Sequence, residues 1–171
     1  MARNRLPGPK RSVFITAAGA KALRDELDAL WRNQRPKVTQ AVSEAAAQGD
    51  RSENAEYIYG KKQLREIDRR IRFLQKRLDE IVIVERPPDD LSRVFFGAWV
   101  RLEDEVGTSK IYRIVGPDEL DLEHGHISVD SPLARVLIKK MVDDEVKLTI
   151  GDKETVFTVR EIRYDTPPSL V

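Results

Sequence analysis

The chain has 171 residues, of which 35% are charged and 6% aromatic, with a formal net charge of +1 and no cysteine. That length holds one domain or two small ones, and the lack of cysteine excludes disulfides and thiolate metal sites. Residues 1–12 carry bases and prolines without the apolar core of a secretion signal, and no apolar run approaches the ~20 residues of a membrane span; a soluble, cytoplasmic protein is expected.

Thr16 is a candidate N-cap for a first helix running to about Gln48. Its apolar stripe reads Ala20, Leu23, Leu27 and Leu30, then Gln34, Val38, Ala41 and Ala45, so the three-four spacing slips by one around Pro36. A proline inside a helix removes one backbone bond and clashes with the carbonyl four residues back, at a cost of ~3 kcal/mol. A kink between Arg32 and Pro36 is predicted rather than a stop, because the stripe resumes and the alanine-rich stretch to Ala47 favours helix. In the second helix Leu64, Ile67, Ile71, Leu74, Leu78 and Ile81 alternate +3 and +4 without error, which is a coiled-coil seam. Tyr57 and Gly60 extend it backwards. Each helix of about thirty residues spans roughly 45 Å, and the link between them is short enough to force an antiparallel hairpin.

Glu85-Arg86-Pro87-Pro88-Asp89-Asp90 breaks the periodicity and reads as a linker. Extended segments follow at Val94 to Leu102, Lys110 to Val115 and His126 to Val129. Glu145 to Ile150 and Glu154 to Arg163 flank Gly151-Asp152, a hairpin signal. Asp130-Ser131-Pro132 opens a short helix to about Ile138, with proline early, where it costs little. The last residues, from Thr166, are expected to be loose. The fold class is α+β, with an N-terminal helical hairpin over 1–85 and its tip at 49–54, a linker over 86–92, and a small β-rich domain with one short helix over 93–171.

The tip carries Gly49-Asp50-Arg51-Ser52-Glu53-Asn54-Ala55-Glu56-Tyr57. Acids at the end of a hairpin do little for packing, since nothing in the chain surrounds them, but they suit a probe that carries negative charge into another molecule. The bland reading is that Asp50 and Glu53 form a capping-box variant at a helix N-terminus, favoured by the dipole. The functional reading is half of a hard-cation site, because Mg²⁺ is held by one or two carboxylates plus waters and phosphates, leaving the remainder to a partner. Eight bases lie between Lys61 and Arg77 against Glu66 and Asp68. They are either a solvated face laced by pairs such as Glu66 with Arg70 and Asp68 with Arg72, or a phosphate-contacting surface. His124-Gly125-His126 places two imidazoles on one face of a strand with no third ligand in view, so a surface pair is favoured over zinc. Ser52 and Ser131 read as caps, and no nucleophile–base pair is evident.

The tip string resembles the signature of the bacterial Gre transcript-cleavage factors, in which it joins two coiled-coil helices. Arg35-Pro36 with Ala41-Val42-Ser43-Glu44-Ala45 is similar to that family's first helix, and Asp130-Ser131-Pro132-Leu133-Ala134-Arg135 to its C-terminal motif. The resemblance runs from Thr16 to Tyr164, and Arg51-Ser52 with the dense bases after Tyr59 resembles the GreB branch. It implies an FKBP-like C-terminal domain docked on RNA polymerase, and a hairpin entering the secondary channel. There Asp50 and Glu53 would help hold a Mg²⁺ shared with the polymerase, which then cleaves backtracked RNA with its own catalytic site. Ser52, Asn54, Glu56 and Tyr57 would support the tip, and Lys61, Lys62, Arg65, Arg69 and Arg72 would contact the RNA 3′ end. The expected protein is a monomer, has no cofactor in isolation, and is an accessory factor rather than an enzyme. A GreA-type factor, a Gre-like channel inhibitor and a peptidyl-prolyl isomerase are the rival expectations. An inhibitor would alter the tip acids, and an isomerase needs an aromatic pocket built from Phe95, Phe96, Trp99, Tyr112, Phe157 and Tyr164.

Overall fold

The computed structural model describes residues 11–48 and 53–169. By internal contacts the chain forms two compact units. One is the hairpin, Ala20 to Ile81. The other joins the described residues up to Gly19 with everything from Val82 onward. The sequence boundary at residue 85 is thereby corrected: residues 11–19 and 82–85 belong with the β-rich unit. The cause is a pair of three-residue strands, β1 (Phe14–Thr16) and β2 (Val82–Val84), that pair in parallel with Phe14 opposite Val82.

Thr16, the last residue of β1, acts as predicted, its hydroxyl accepting a hydrogen bond from Gly19 N at 3.0 Å. Helix α1 (Ala17–Ala29) runs into a π-helical turn at Leu30–Gln34 and continues as α2 (Arg35–Ala47). The predicted kink is this turn. Arg35 N reaches back five residues to Leu30 O, so Pro36 enters at the start of α2, where its missing N–H matters least. The wider turn inserts one residue into the helical register. After Leu30 the seam therefore resumes at Val38, Val42 and Ala45, while Gln34 and Ala41, placed on the stripe by sequence, face solvent. Helix α3 (Ala55–Glu80) carries the predicted seam, with Gly60, Ile67, Ile71 and Leu74 buried, and α2 packs along it. Gly60 is a point of close approach: a Cβ there would lie 2.6 Å from Val42 Cγ2. Among the described residues, ion pairs cross the hairpin from Arg35 to Asp68 at 2.8 Å and from Arg70 to both oxygens of Glu26 at 2.7 and 2.8 Å. The bonded guanidinium of Arg70 holds the Glu26 carboxyl below the usual range.

The β-rich unit is a five-stranded sheet in the order β5-β4-β3-β7-β6. Its strands are β3 (Trp99–Asp104), β4 (Ser109–Val115), β5 (His126–Ser128), β6 (Glu145–Ile150) and β7 (Lys153–Arg163). All neighbours are antiparallel except β4 and β5. The turn between β6 and β7 is Gly151-Asp152, with Gly151 at φ +60° in the position where glycine is favoured. The predicted strand at 94–102 starts only at Trp99, because Gly97 at φ +87° breaks the extended run and Val94 bonds instead to the backbone of Lys139 and Lys140. Helix α4 (Pro132–Leu137) is capped by Ser131, whose hydroxyl accepts from Ala134 N. Ala134 and Leu137 of α4 join Val100, Leu102, Ile114 and Val159 in the core. Of the residues expected to be loose, Pro168 is buried, and residues 170 and 171 lie outside the described residues.

Candidate functional site: the hairpin tip and its basic stripe

Helix ends leave backbone donors and acceptors without intrahelical partners, and at the tip one side chain serves both helices. Asn54 is the N-cap of α3: its Oδ1 accepts from Tyr57 N at 3.1 Å, and Ile58 N closes the first helical bond on Asn54 O. Its Nδ2 donates to Ala45 O at 2.9 Å, in the last turn of α2. The amide orientation is fixed by this pairing, since only the oxygen can meet an N–H and only the nitrogen a carbonyl. The two helices are thus tied together immediately beside the loop.

This placement corrects the capping-box alternative for Glu53. With Asn54 as cap, Glu53 is the residue before the helix and cannot be the third helical residue that a capping box requires. It is exposed, and among the described residues its carboxylate makes no hydrogen bond or ion pair. Asp50 and Ser52, the other predicted tip residues in the loop, lie outside the described residues. Glu56 sits in the first turn of α3, where the helix dipole favours an acid. Tyr57 is half-buried, with the Lys61 ammonium 5.3 Å from its ring centre.

The bases sort by helical phase. Lys62, Arg65, Arg69, Arg72 and Lys76 are all exposed and follow +3, +4, +3, +4 spacing on the side of α3 opposite the seam. At 1.5 Å per residue this stripe is about 21 Å long. Four of the five predicted RNA contacts therefore share one face, and Lys76, not among them, extends it. Lys61 stands apart on Tyr57. Lys62, Arg69 and Arg72 have no ion-pair partner among the described residues, whereas Arg70 is engaged by Glu26 and Arg77 is buried. Of the intrahelical pairs expected on the bland reading, Asp68 goes across the hairpin to Arg35 instead.

The histidine pair is not a strand-face pair. His124 lies in the loop before Gly125, bonded to Asp121 at 2.7 Å, and only His126 is in β5, its ring edge-on to Trp99. Among the described residues no cluster of three or more His, Asp or Glu side chains is placed to hold a metal ion. Tyr112 and Phe157 pack against the core; Tyr164 does so too, but with Phe96 it also lines a cavity. No helix among the described residues is long and apolar enough to cross a membrane.

A helical hairpin followed by a small β-rich unit with one short helix is the architecture of the GreA/GreB transcription elongation factors. The N-terminal model of that family matches residues 13–83 and its C-terminal model residues 88–164. The chain belongs to this family. Among its relatives, "Transcription elongation factor GreB" of Pseudomonas aeruginosa is 58% identical over 98% of this chain and 100% of its own. The protein of the same name from Yersinia pestis is 59% identical over 90% of each chain. The crystal structure of GreA factor homolog 1 of Thermus thermophilus is 26% identical, with a TM-score of 0.42 over 90% of this chain and 99% of that one.

Proposed function

We propose that this chain is a GreB-type accessory factor of RNA polymerase in the cytoplasm. Its hairpin enters the secondary channel, and its tip stimulates the polymerase's own cleavage of backtracked RNA, which rescues arrested complexes. The observation that carries this reading is Glu53, exposed and held just outside the amino end of α3 by the Asn54 cap. An acid freed from capping and fixed at a joint is positioned for work on another molecule. Relatives named as GreB transcription elongation factors, matched over 98% and 90% of this chain, support the same reading.

Carboxylate oxygens are the donors that Mg²⁺ prefers, and the exposed Glu53 fits such an ion as one ligand. Asp50 and Glu53 would hold it only in a site shared with the polymerase. The chemistry a bound ion supplies is water activation and stabilisation of the leaving oxygen. The chain's own contribution is to present the acids on a stiff support and to lay Lys62, Arg65, Arg69 and Arg72 along the path of the extruded RNA. It has no nucleophile and general base of its own in this scheme.

The test is cleavage of a purified backtracked complex. Asp50→Ala and Glu53→Ala should each lower stimulated cleavage at least about tenfold, equal to ~1.4 kcal/mol at the transition state, with polymerase binding retained. Unchanged cleavage, or loss of binding in both variants, would reduce the tip to a structural element.

A further inference from the structure

The β-rich unit contains a cavity of about 220 Å³ whose wall includes Arg86, Arg113, Glu85, Phe96, Pro87 and Tyr164. It uses none of the residues assigned to the tip or the stripe. Arg113 is its most unusual element. Its Nε is buried and has no hydrogen-bond partner among the described residues, and its guanidinium carbon lies 5.2 Å from the centre of the Trp99 ring. Arg101, the other arginine with a buried Nε, has Glu161 at 3.4 Å. Arg113 has no such carboxylate among the described residues. An Nε closed off without an acceptor is costly, and it leaves the terminal nitrogens of this half-buried guanidinium as the part that can meet an anion in the cavity.

The rest of the wall is consistent with that. The Tyr164 hydroxyl is already engaged, accepting from Phe95 N at 2.9 Å and donating to Arg93 O at 2.6 Å, so its ring serves as an apolar surface beside Phe96 and Pro87. The first turn of α1 borders the cavity through Ala17 and Ala18. Its neighbouring donors are used, however: Thr16 N and Gly116 N both bond to Glu119 Oε2, the Thr16 hydroxyl bonds to Oε1, and Gly19 N bonds to Thr16. The charge on the wall is therefore Arg86 and Arg113 against Glu85, which is net positive in partly apolar surroundings where a charge reaches further. The volume is below the 300–1,000 Å³ of drug-sized ligand sites, which suits a single compact group.

We propose that this cavity binds a small oxyanion of the phosphate class, with Arg113 as the principal donor through the two terminal nitrogens of its guanidinium and Arg86 as the second. Arginine fits this task because its fork presents parallel N–H donors to two oxygens at once.

His126 provides a built-in reporter. It is paired with Arg113 across β4 and β5, and burial, then the Arg113 charge and the His124 ring, push its pKa down, while Asp121 and Glu119 push it up. An anion bound to Arg113 cancels part of the downward push, so binding must raise the His126 pKa. With only two histidines in the chain, both imidazoles can be followed by NMR in the full-length protein. Sulfate is the probe, since it does not titrate in this range, and chloride holds ionic strength constant. The expected result is a saturable upward shift at His126, with His124 as the internal control. Saturation should need at least about tenfold more sulfate in Arg113→Gln, a tenfold change being ~1.4 kcal/mol, and the affinity should fall to a lesser degree in the exposed variant Arg86→Gln. Inorganic phosphate and glycerol phosphate, compared in the same assay, separate a free ion from the phosphate end of a larger molecule. The ester binds more tightly only in the second case. The proposal is overturned if sulfate moves His126 no more than chloride does. It is equally overturned if the shift fails to saturate, which marks an adventitious ion only, or survives undiminished in both variants. Arg113→Lys, which keeps the charge and loses the two-nitrogen fork, covers the case in which the glutamine variant does not fold, and it too should need more sulfate to saturate.

Discussion

Asn54 is the residue type that closes this hairpin best, because the closure needs an acceptor and a donor on one short side chain. Aspartate supplies the acceptor for Tyr57 N but sets a second acceptor against Ala45 O, and alanine supplies neither. Asn54→Ala should destabilise the hairpin by about 1–2 kcal/mol, combining a lost cap with a lost bridging bond. Asn54→Asp should cost about 1 kcal/mol, chiefly the bridge. Urea melts with unchanged m-values give the totals, and amide exchange separates the causes: the Tyr57 N–H stays protected in the aspartate variant and exchanges faster in the alanine variant. If both variants expose Tyr57 equally, the cap is not made by this side chain. The sequence spacing was compatible with a cap at Asp50, and what decided for Asn54 was a carbonyl nine residues earlier on the other helix, a tertiary partner that local pattern does not display. Ser131 was legible because its partner, Ala134 N, is local.

At the scale of elements, strict periodicity was readable and its interruptions were readable only as interruptions. The seam of α3 is where the +3, +4 pattern put it. The slip near Pro36 announced a defect, but its form, a five-residue π turn, moved Gln34 and Ala41 off the seam and brought in Val42. Strands β1 and β2 escaped detection because three residues show no period, and each becomes a strand only through a partner far away in the chain. The arrival of Val42 opposite Gly60 leads to a test by double-mutant cycle. Glycine is worse than alanine in a helix interior by about 1 kcal/mol, yet a Cβ at Gly60 would meet Val42 Cγ2 at 2.6 Å. Gly60→Ala should therefore destabilise the wild-type hairpin. In a Val42→Ala background, where the obstructing methyl is gone, the same substitution should stabilise it by up to about 1 kcal/mol. An equal effect in both backgrounds, seen in thermal or urea melts, would place the helices further apart than described here.

For the whole molecule the question is how one chain with a net charge near zero approaches a polyanion. Charge is separated in space within the hairpin. Arg70 is held by Glu26, while Lys62, Arg69 and Arg72 stand on the outer stripe without ion-pair partners among the described residues. Equal losses of charge should then have unequal consequences. In a triple Lys62→Gln, Arg69→Gln, Arg72→Gln variant, the concentration giving half-maximal cleavage of a backtracked complex should rise and its salt dependence flatten. Each phosphate contact to a single strand contributes a slope of about 0.7 in log K against log salt, so three lost contacts lower the slope by about 2. Cleavage at saturating factor should change little, because the tip acids are intact. Arg70→Gln removes charge from the same helix but releases Glu26, so it should lower the melting temperature and leave the salt slope unchanged. A triple variant with the wild-type slope would return the stripe to a solvated face, and an Arg70→Gln variant that flattens the slope would mean that α3 acts through its total charge rather than through one ordered face.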